Sequence, residues 1–291
     1  GSATTQNRNI AMGYFSAASL TGANAEFNVF IGDYTGQGGS GNLKRSVAIG
    51  YQVLQSTAGN DVDGAIGIGY QALNDVTSGD HNIAVGWQAG DAITTTSGTV
   101  SIGTAALGGI TTTGDYTIAI GYGAMGGAEI GDGNIAIGYQ SMQNANAAGF
   151  HRNTAVGYQT MANVGSNSAD DNTALGYRAL ASVTTGDDNV AVGSYALEDA
   201  TSAGDNVAIG QYAMGNRVSG SNNIAIGADA MYTSVGSTYN IAIGPFAGYN
   251  ITTGTGAVGL GYKAGYANKG QGQWIAIGYE AMGGTPGTNE A

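Results

Sequence analysis

Near-copies of one short stretch, Asn134-Ile135-Ala136-Ile137-Gly138-Tyr139, return from one end of this chain to the other, and a fold must place all of them equivalently. The glycine that closes the unit stands at Gly13, Gly32, Gly50, Gly69, Gly86, Gly103, Gly121, Gly138, Gly157, Gly176, Gly193, Gly210, Gly227, Gly244, Gly261 and Gly278, a spacing of 17 to 19 residues. A fixed period of that size marks a solenoid, in which each repeat is one coil that buries its apolar face by stacking on its neighbours. From Gly176 onward the spacing settles at 17, as equal coils require.

Inside the unit the alternation has a period of two. The positions three and one before the glycine are Ile, Val or Leu in almost every copy, as in Val190 and Val192 or Ile224 and Ile226, with a small residue between them. β-branched pairs at that spacing form a strand, and side chains two apart share a face. The branched residues are therefore expected to fill the core and the small residues to line the opposite face. Two readings of that small face stand open: an interface between protomers built from Ala136, Ala155, Ala174, Ala191, Ala208, Ala225 and Ala242, or a narrow second interior layer within a thin coil. The interface reading predicts that Ala208→Asp breaks assembly, and the core reading predicts that Ile226→Asp unfolds the neighbouring coils.

After the glycine, a small residue followed by Leu or Met, as in Ala196-Leu197 and Ala213-Met214, reads as a second short segment closing the same core. A turn of Thr, Ser, Gly and Asp follows, as in Thr184-Thr185-Gly186-Asp187-Asp188. The fold class is thus all-β, a single-chain parallel β-solenoid of about sixteen coils, which at about 4.8 Å per coil makes a rod on the order of 75 Å long. Stacking turns equivalent residues into ladders. The asparagine before the unit, at Asn9, Asn28, Asn82, Asn134, Asn153, Asn172, Asn189, Asn206, Asn223 and Asn240, is placed to pass amide hydrogen bonds from coil to coil.

No linker or composition shift divides the chain, so residues 1–291 read as one solenoid domain: irregular first coils over 1–50, regular coils over 51–282 and a tail over 283–291. Phe30 replaces the small residue, Asp33 replaces the tyrosine, and Gly36 to Gly41 form a glycine-rich loop, all in the first coils. Gly1-Ser2 reads as a cloning scar. With Gly283-Gly284-Thr285-Pro286-Gly287 at the far end, both ends are expected to leave strands with little capping.

Composition excludes several classes. The 53 glycines do not fall at every third position, so collagen is ruled out. The recurring Ile, Val, Leu and Tyr give the chain a core to bury, unlike a disordered segment. With no cysteine there is no disulfide framework and no thiolate metal site. A formal net charge of −12 argues against nucleic acid and anionic membranes as partners. No apolar run approaches the length of a membrane span, and the first residues lack the layout of a signal peptide.

Catalytic chemistry is not expected. His81 and His151 lie in different repeats without a third ligand, no nucleophile, base and acid can be singled out, and no helix follows a glycine loop to hold a phosphate. Asp170, Asp171, Asp187, Asp188 and Asp205 recur at matching turns, where calcium could relieve carboxylate repulsion; the plainer reading is a solvated acidic edge. Beyond that calcium no cofactor is expected. Aromatic residues follow the unit glycine at Tyr14, Tyr51, Tyr70, Trp87, Tyr122, Tyr139, Tyr158, Tyr177, Tyr262 and Tyr279. Ring stacking along an edge accounts for them, and a carbohydrate surface on Tyr122, Tyr139, Tyr158 and Tyr177 is the sharper reading. Because Ser194, Gln211, Ala228 and Pro245 interrupt the row, a continuous track is expected only before Ser194.

The units Asn-Ile-Ala-Ile-Gly, Asn-Val-Ala-Val-Gly and Ser46-Val47-Ala48-Ile49-Gly50 resemble the head repeats of YadA-type trimeric autotransporter adhesins. Asn153-Thr154-Ala155-Val156-Gly157-Tyr158-Gln159 and Asn172-Thr173-Ala174-Leu175-Gly176-Tyr177-Arg178 are similar to repeats of bacteriophage tail fibres. The resemblance covers nearly the whole chain and implies a left-handed parallel β-roll packed as a homotrimer. The adhesin repeat is shorter, and no stalk, anchor or terminal chaperone domain is seen here. At class level the resemblance implies a non-enzymatic extracellular fibre segment, exposed on a cell surface or virion, that meets a host glycan or surface protein without inserting into a membrane. The alternative is a structural filament subunit that polymerises end to end. An ice-binding face would need a continuous threonine array, whereas Thr94-Thr95-Thr96, Thr111-Thr112-Thr113, Thr184-Thr185 and Thr252-Thr253 are scattered.

Overall fold

A computed structural model describes residues 8–18, 20, 25–37, 42–57, 61–109, 114–127, 130–144, 150–164, 169–216, 219–267 and 272–284. Gly1-Ser2, the loop residues 38–41, Thr111-Thr112-Thr113 and the tail from Thr285 lie outside them. The fold is all-β, with no helix among the described residues, and the chain winds as a parallel β-solenoid. Its contacts divide it into two compact units, Gly1–Ala148 and Gly149–Ala291.

In the first unit, β1 (Ile10–Met12), β2 (Val29–Ile31), β4 (Val47–Tyr51), β6 (Ile66–Tyr70), β7 (Ile83–Val85), β8 (Val100–Ile102), β9 (Ile118–Ile120) and β10 (Ile135–Ile137) pair in that order. A second, two-stranded sheet joins β3 (Leu43–Lys44) to β5 (Val62–Asp63). In the second unit, β11 (Thr154–Val156), β12 (Thr173–Leu175), β13 (Val190–Val192), β14 (Val207–Ile209), β15 (Ile224–Ile226), β16 (Ile241–Ile243), β17 (Val258–Leu260) and β18 (Ile275–Ile277) pair consecutively. Pairing is parallel and puts like on like: Ala191 lies beside Ala208, and Ala225 beside Ala242.

The strands are where the alternation puts them, but their faces are reversed. Ala136, Ala155, Ala174, Ala191, Ala208, Ala225 and Ala242 are completely buried within the single chain, whereas the flanking branched residues are half-buried or exposed. Leu and Met after the glycine, such as Leu180, Leu197, Met214 and Met231, complete the interior and are also fully buried. The reason is thickness. At Gly67, which takes the alanine's place in β6, an added methyl would lie 2.4 Å from Val53 Cγ1 and 3.3 Å from the carbonyl oxygen of Ala72 in the opposing wall. A gap that barely holds a methyl leaves no room for Ile or Val, so they turn outward.

Two devices hold the coils together. The unit glycines have φ between 123° and 143°, and at most of them a Cβ would strike the next coil's glycine, as at Gly210, where Gly227 C and O lie 2.6 Å away. Beyond them, residues two and four after the glycine are left-handed although they carry side chains, for example Tyr195 (φ 60°) and Leu197 (φ 50°). That conformation costs roughly 1–2 kcal/mol per residue. Inter-coil hydrogen bonds offset it: Tyr195 N–H donates to Tyr177 O at 2.9 Å and Leu197 N–H to Ala213 O at 3.0 Å.

The asparagine ladder is as the spacing predicts. From Asn172 to Asn240, each asparagine donates both its backbone N–H and its Nδ2 to the preceding asparagine's Oδ1 at 2.9–3.1 Å. Nδ2 also donates to a turn carbonyl, Ala203 O at 2.7 Å in the case of Asn189. These amides are fully buried, so an unpaired member would cost about 1–3 kcal/mol.

Candidate functional site

Turning the branched residues outward gives each unit a flat apolar sheet face. In the second unit its outward positions are Val156, Leu175, Val190, Val192, Val207, Ile209, Ile224, Ile226, Ile241, Ile243, Val258, Leu260, Ile275 and Ile277, interrupted only by Thr154 and Thr173. In the first unit every outward position, from Ile10 and Met12 to Ile135 and Ile137, is apolar. None is charged, although the chain carries a net charge of −12. Ile209 is 37% and Leu175 47% exposed. Eight strands of three residues make a face of roughly 35 Å by 10 Å per unit, in the range of the largest apolar patch on a typical monomer, which is often functional.

The expectation that Ala136, Ala155, Ala174, Ala191, Ala208, Ala225 and Ala242 form the assembly interface is therefore corrected. A side chain with no exposure inside its own coil cannot touch a partner, and the interior-layer reading describes these residues. Sequence reasoning assigned Ile and Val to the core, so it missed the face they build.

Beside this face run the aromatic residues. In β4 and β6 the strand continues through the glycine to Tyr51 and Tyr70, whose rings stack at 5.4 Å, and Trp87 follows Tyr70 at 4.1 Å. Tyr122 and Tyr139 stack at 5.3 Å with 10° between planes, and Tyr158 and Tyr177 at 5.4 Å with 15°. Each of these rings turns a face to its neighbour, so stacking occupies ring faces that a sugar would otherwise meet.

The row does not stop at Ser194. Tyr177 meets Tyr195 at 5.1 Å, Tyr195 stacks on Tyr212 at 4.7 Å, and contacts continue through Tyr232, Tyr249 and Tyr266. Phe246 links this line to Tyr262, which stacks on Tyr279. The ladder moves from the first position after the glycine to the second, then to the fifth and back. A search for rings at one fixed position misses those steps; a search for one ring per period finds them.

The acidic turns are tied into the coil. Asp170 Oδ1 accepts the backbone N–H of His151, and Asp187 Oδ1 accepts that of Asp170, both at 2.8 Å. Asp171 forms a two-bonded pair with Arg152, at 2.7 Å to each oxygen, and this contact holds the Asp171 carboxyl below its ordinary range and raises Arg152. Asp188 and Asp205 are exposed, their backbone N–H groups donating to Asp170 O and Asp187 O. Among the described residues no three His, Cys, Asp or Glu side chains converge as a metal group would require. No described helix is long and apolar enough to cross a membrane.

A cavity of about 10 Å³ lies in the first unit between Thr96, Thr99 and Thr117, with Thr99 and Thr117 at ladder positions that asparagine holds elsewhere. The buried Thr96 and Thr117 hydroxyls have no hydrogen-bond partner. That space matches one water and is too small for an organic ligand. A scan against protein-family models finds no match, and a search of curated proteins finds none either.

Proposed function

We propose that this chain is a non-enzymatic segment of an extracellular fibre, a left-handed β-roll of about sixteen coils that acts as the head or shaft of a homotrimer on a cell surface or virion. The observation that carries the reading is the uncharged Ile/Val face on a coil already filled by alanine and leucine. Such a face gains about 25 cal/mol per Å² of apolar surface when covered. Acidic turns repel copies that approach along them. The resemblance of the Asn-Ile-Ala-Ile-Gly unit to YadA-type heads and tail-fibre repeats supports adhesion or receptor binding as the work of the assembled fibre.

Light scattering coupled to size exclusion tests the assembly across a concentration series. The reading expects a constant mass of three 28.9 kDa chains. A mass that climbs with concentration would favour the end-to-end filament subunit instead, and a constant mass of one chain would remove the trimer. Binding of the trimer to a glycan or cell surface separates an adhesive head from a plain spacer.

A further inference from the structure

We propose that Thr154 and Thr173 fix the axial register of copies packed through the Ile/Val face, an inference that rests on the assembly proposed above. The occupant is a second copy of this chain. The face has no charge to recruit a basic or acidic partner, and a second copy brings the same threonine pair, Thr154 beside Thr173, on the same strand spacing.

A repetitive apolar interface has a weakness. Val190, Val207, Ile224 and Ile241 succeed one another at equivalent sites, so sliding one copy by a coil exchanges one branched residue for another at little cost. The threonines break that equivalence. They are direct neighbours in register, Thr154 beside Thr173, and the next residue in that column is Val190. Ala155 and Ala174 point into the coil, so both hydroxyls stand on the outward side. Once covered, a hydroxyl needs a partner, and in aligned copies each threonine meets its own counterpart, which both donates and accepts. A slip of one coil sets one threonine of each copy against an aliphatic residue; a slip of two coils does so for both. A buried polar layer sets the register of coiled coils by the same logic.

The chain lacks cysteine, so engineered disulfides can report register. Chains carrying Val207→Cys are co-refolded with chains carrying Ile241→Cys, two coils away and beyond disulfide reach across aligned copies. In the parent background only 207–207 and 241–241 bridges are expected. In the Thr154→Val/Thr173→Val background mixed 207–241 bridges should rise to a comparable share while the assembly mass holds, and Thr154→Ser/Thr173→Ser should restore the parent pattern. A Thr→Val assembly without mixed bridges overturns the register role alone. A monomeric parent chain overturns the assembly on which it rests as well.

Discussion

The ring of Phe30 occupies the space that a side chain on Gly36 would fill: a Cβ built on Gly36 lies 2.4 Å from Phe30 Cε1. Gly36 stands four residues after its unit glycine, where other coils carry Leu54, Leu73 or Leu197, and Phe30 stands where they carry alanine. Trp274 and Gly265 make a similar exchange, with an added Cβ 2.0 Å from the indole. At both places a large ring fills the space that the glycine leaves.

Phe30→Ala alone should lower stability by about 3–5 kcal/mol, and Gly36→Leu alone should overpack the coil. The double variant should recover most of the loss, because Leu54 and Leu197 already adopt the left-handed backbone of Gly36, with φ of 51°, 50° and 58°. Denaturant titration of the four proteins checks this; additive losses would refute the exchange.

Gly210→Ala and Gly278→Ala should differ sharply. Both impose an unfavourable φ, at 133° and 123°, worth roughly 1–3 kcal/mol. Only Gly210 also meets Gly227 backbone at 2.6 Å, whereas no described residue lies within 4 Å of a Cβ on Gly278. Thermal melts should show Gly210→Ala losing folded coils and Gly278→Ala losing only a few degrees.

Asn206→Ala removes the acceptor for Asn223 N–H and Nδ2 and the donor to Asn189 Oδ1 and Gly220 O. One buried backbone donor is left unpaired, so a loss of about 2–4 kcal/mol is expected. Hydrogen exchange at the Asn223 amide should accelerate more than at Asn172, two ladder positions before Asn206.

Asp229 takes the place that Tyr212 and Phe246 hold in neighbouring coils, and burial raises its carboxyl above the ordinary range. A raised folded-state value favours the protonated form, so the group's favourable contribution is present below the unfolded value of about 3.9 and is lost as pH climbs through the folded one. Asp229→Asn should therefore raise Tm at pH 7, with the gain shrinking toward pH 3. An equal gain at both pH values would exclude charge burial as the cause.

Much of this architecture was legible in the chain. The glycine period gave the coils, the Ile-Ala-Ile alternation gave the strands, and the asparagine spacing gave the ladder. The inside of the strand was not legible, because a period of two defines two faces without ranking them. What ranks them is the gap between walls, seen at Gly67 against Ala72 O, and hydrophobicity alone points the wrong way. A second small residue after each glycine, Ala196 facing the same interior as Ala191, was the available sign of a thin coil. The aromatic row escaped because Tyr195, Tyr212 and Tyr232 occupy shifted positions and become neighbours only when coils stack.

Ala208 faces into the coil and Ile209 faces out, where the proposed assembly would cover it. The most direct measurement pairs Ala208→Asp with Ile209→Asp, adjacent residues of β14, and reads mass by light scattering beside circular dichroism. Ala208→Asp should lose its β signal, and Ile209→Asp should keep the parent spectrum but fall from three chains to one, at 28.9 kDa. A parent chain that is already monomeric, or an Ile209→Asp chain that keeps the three-chain mass, would contradict it.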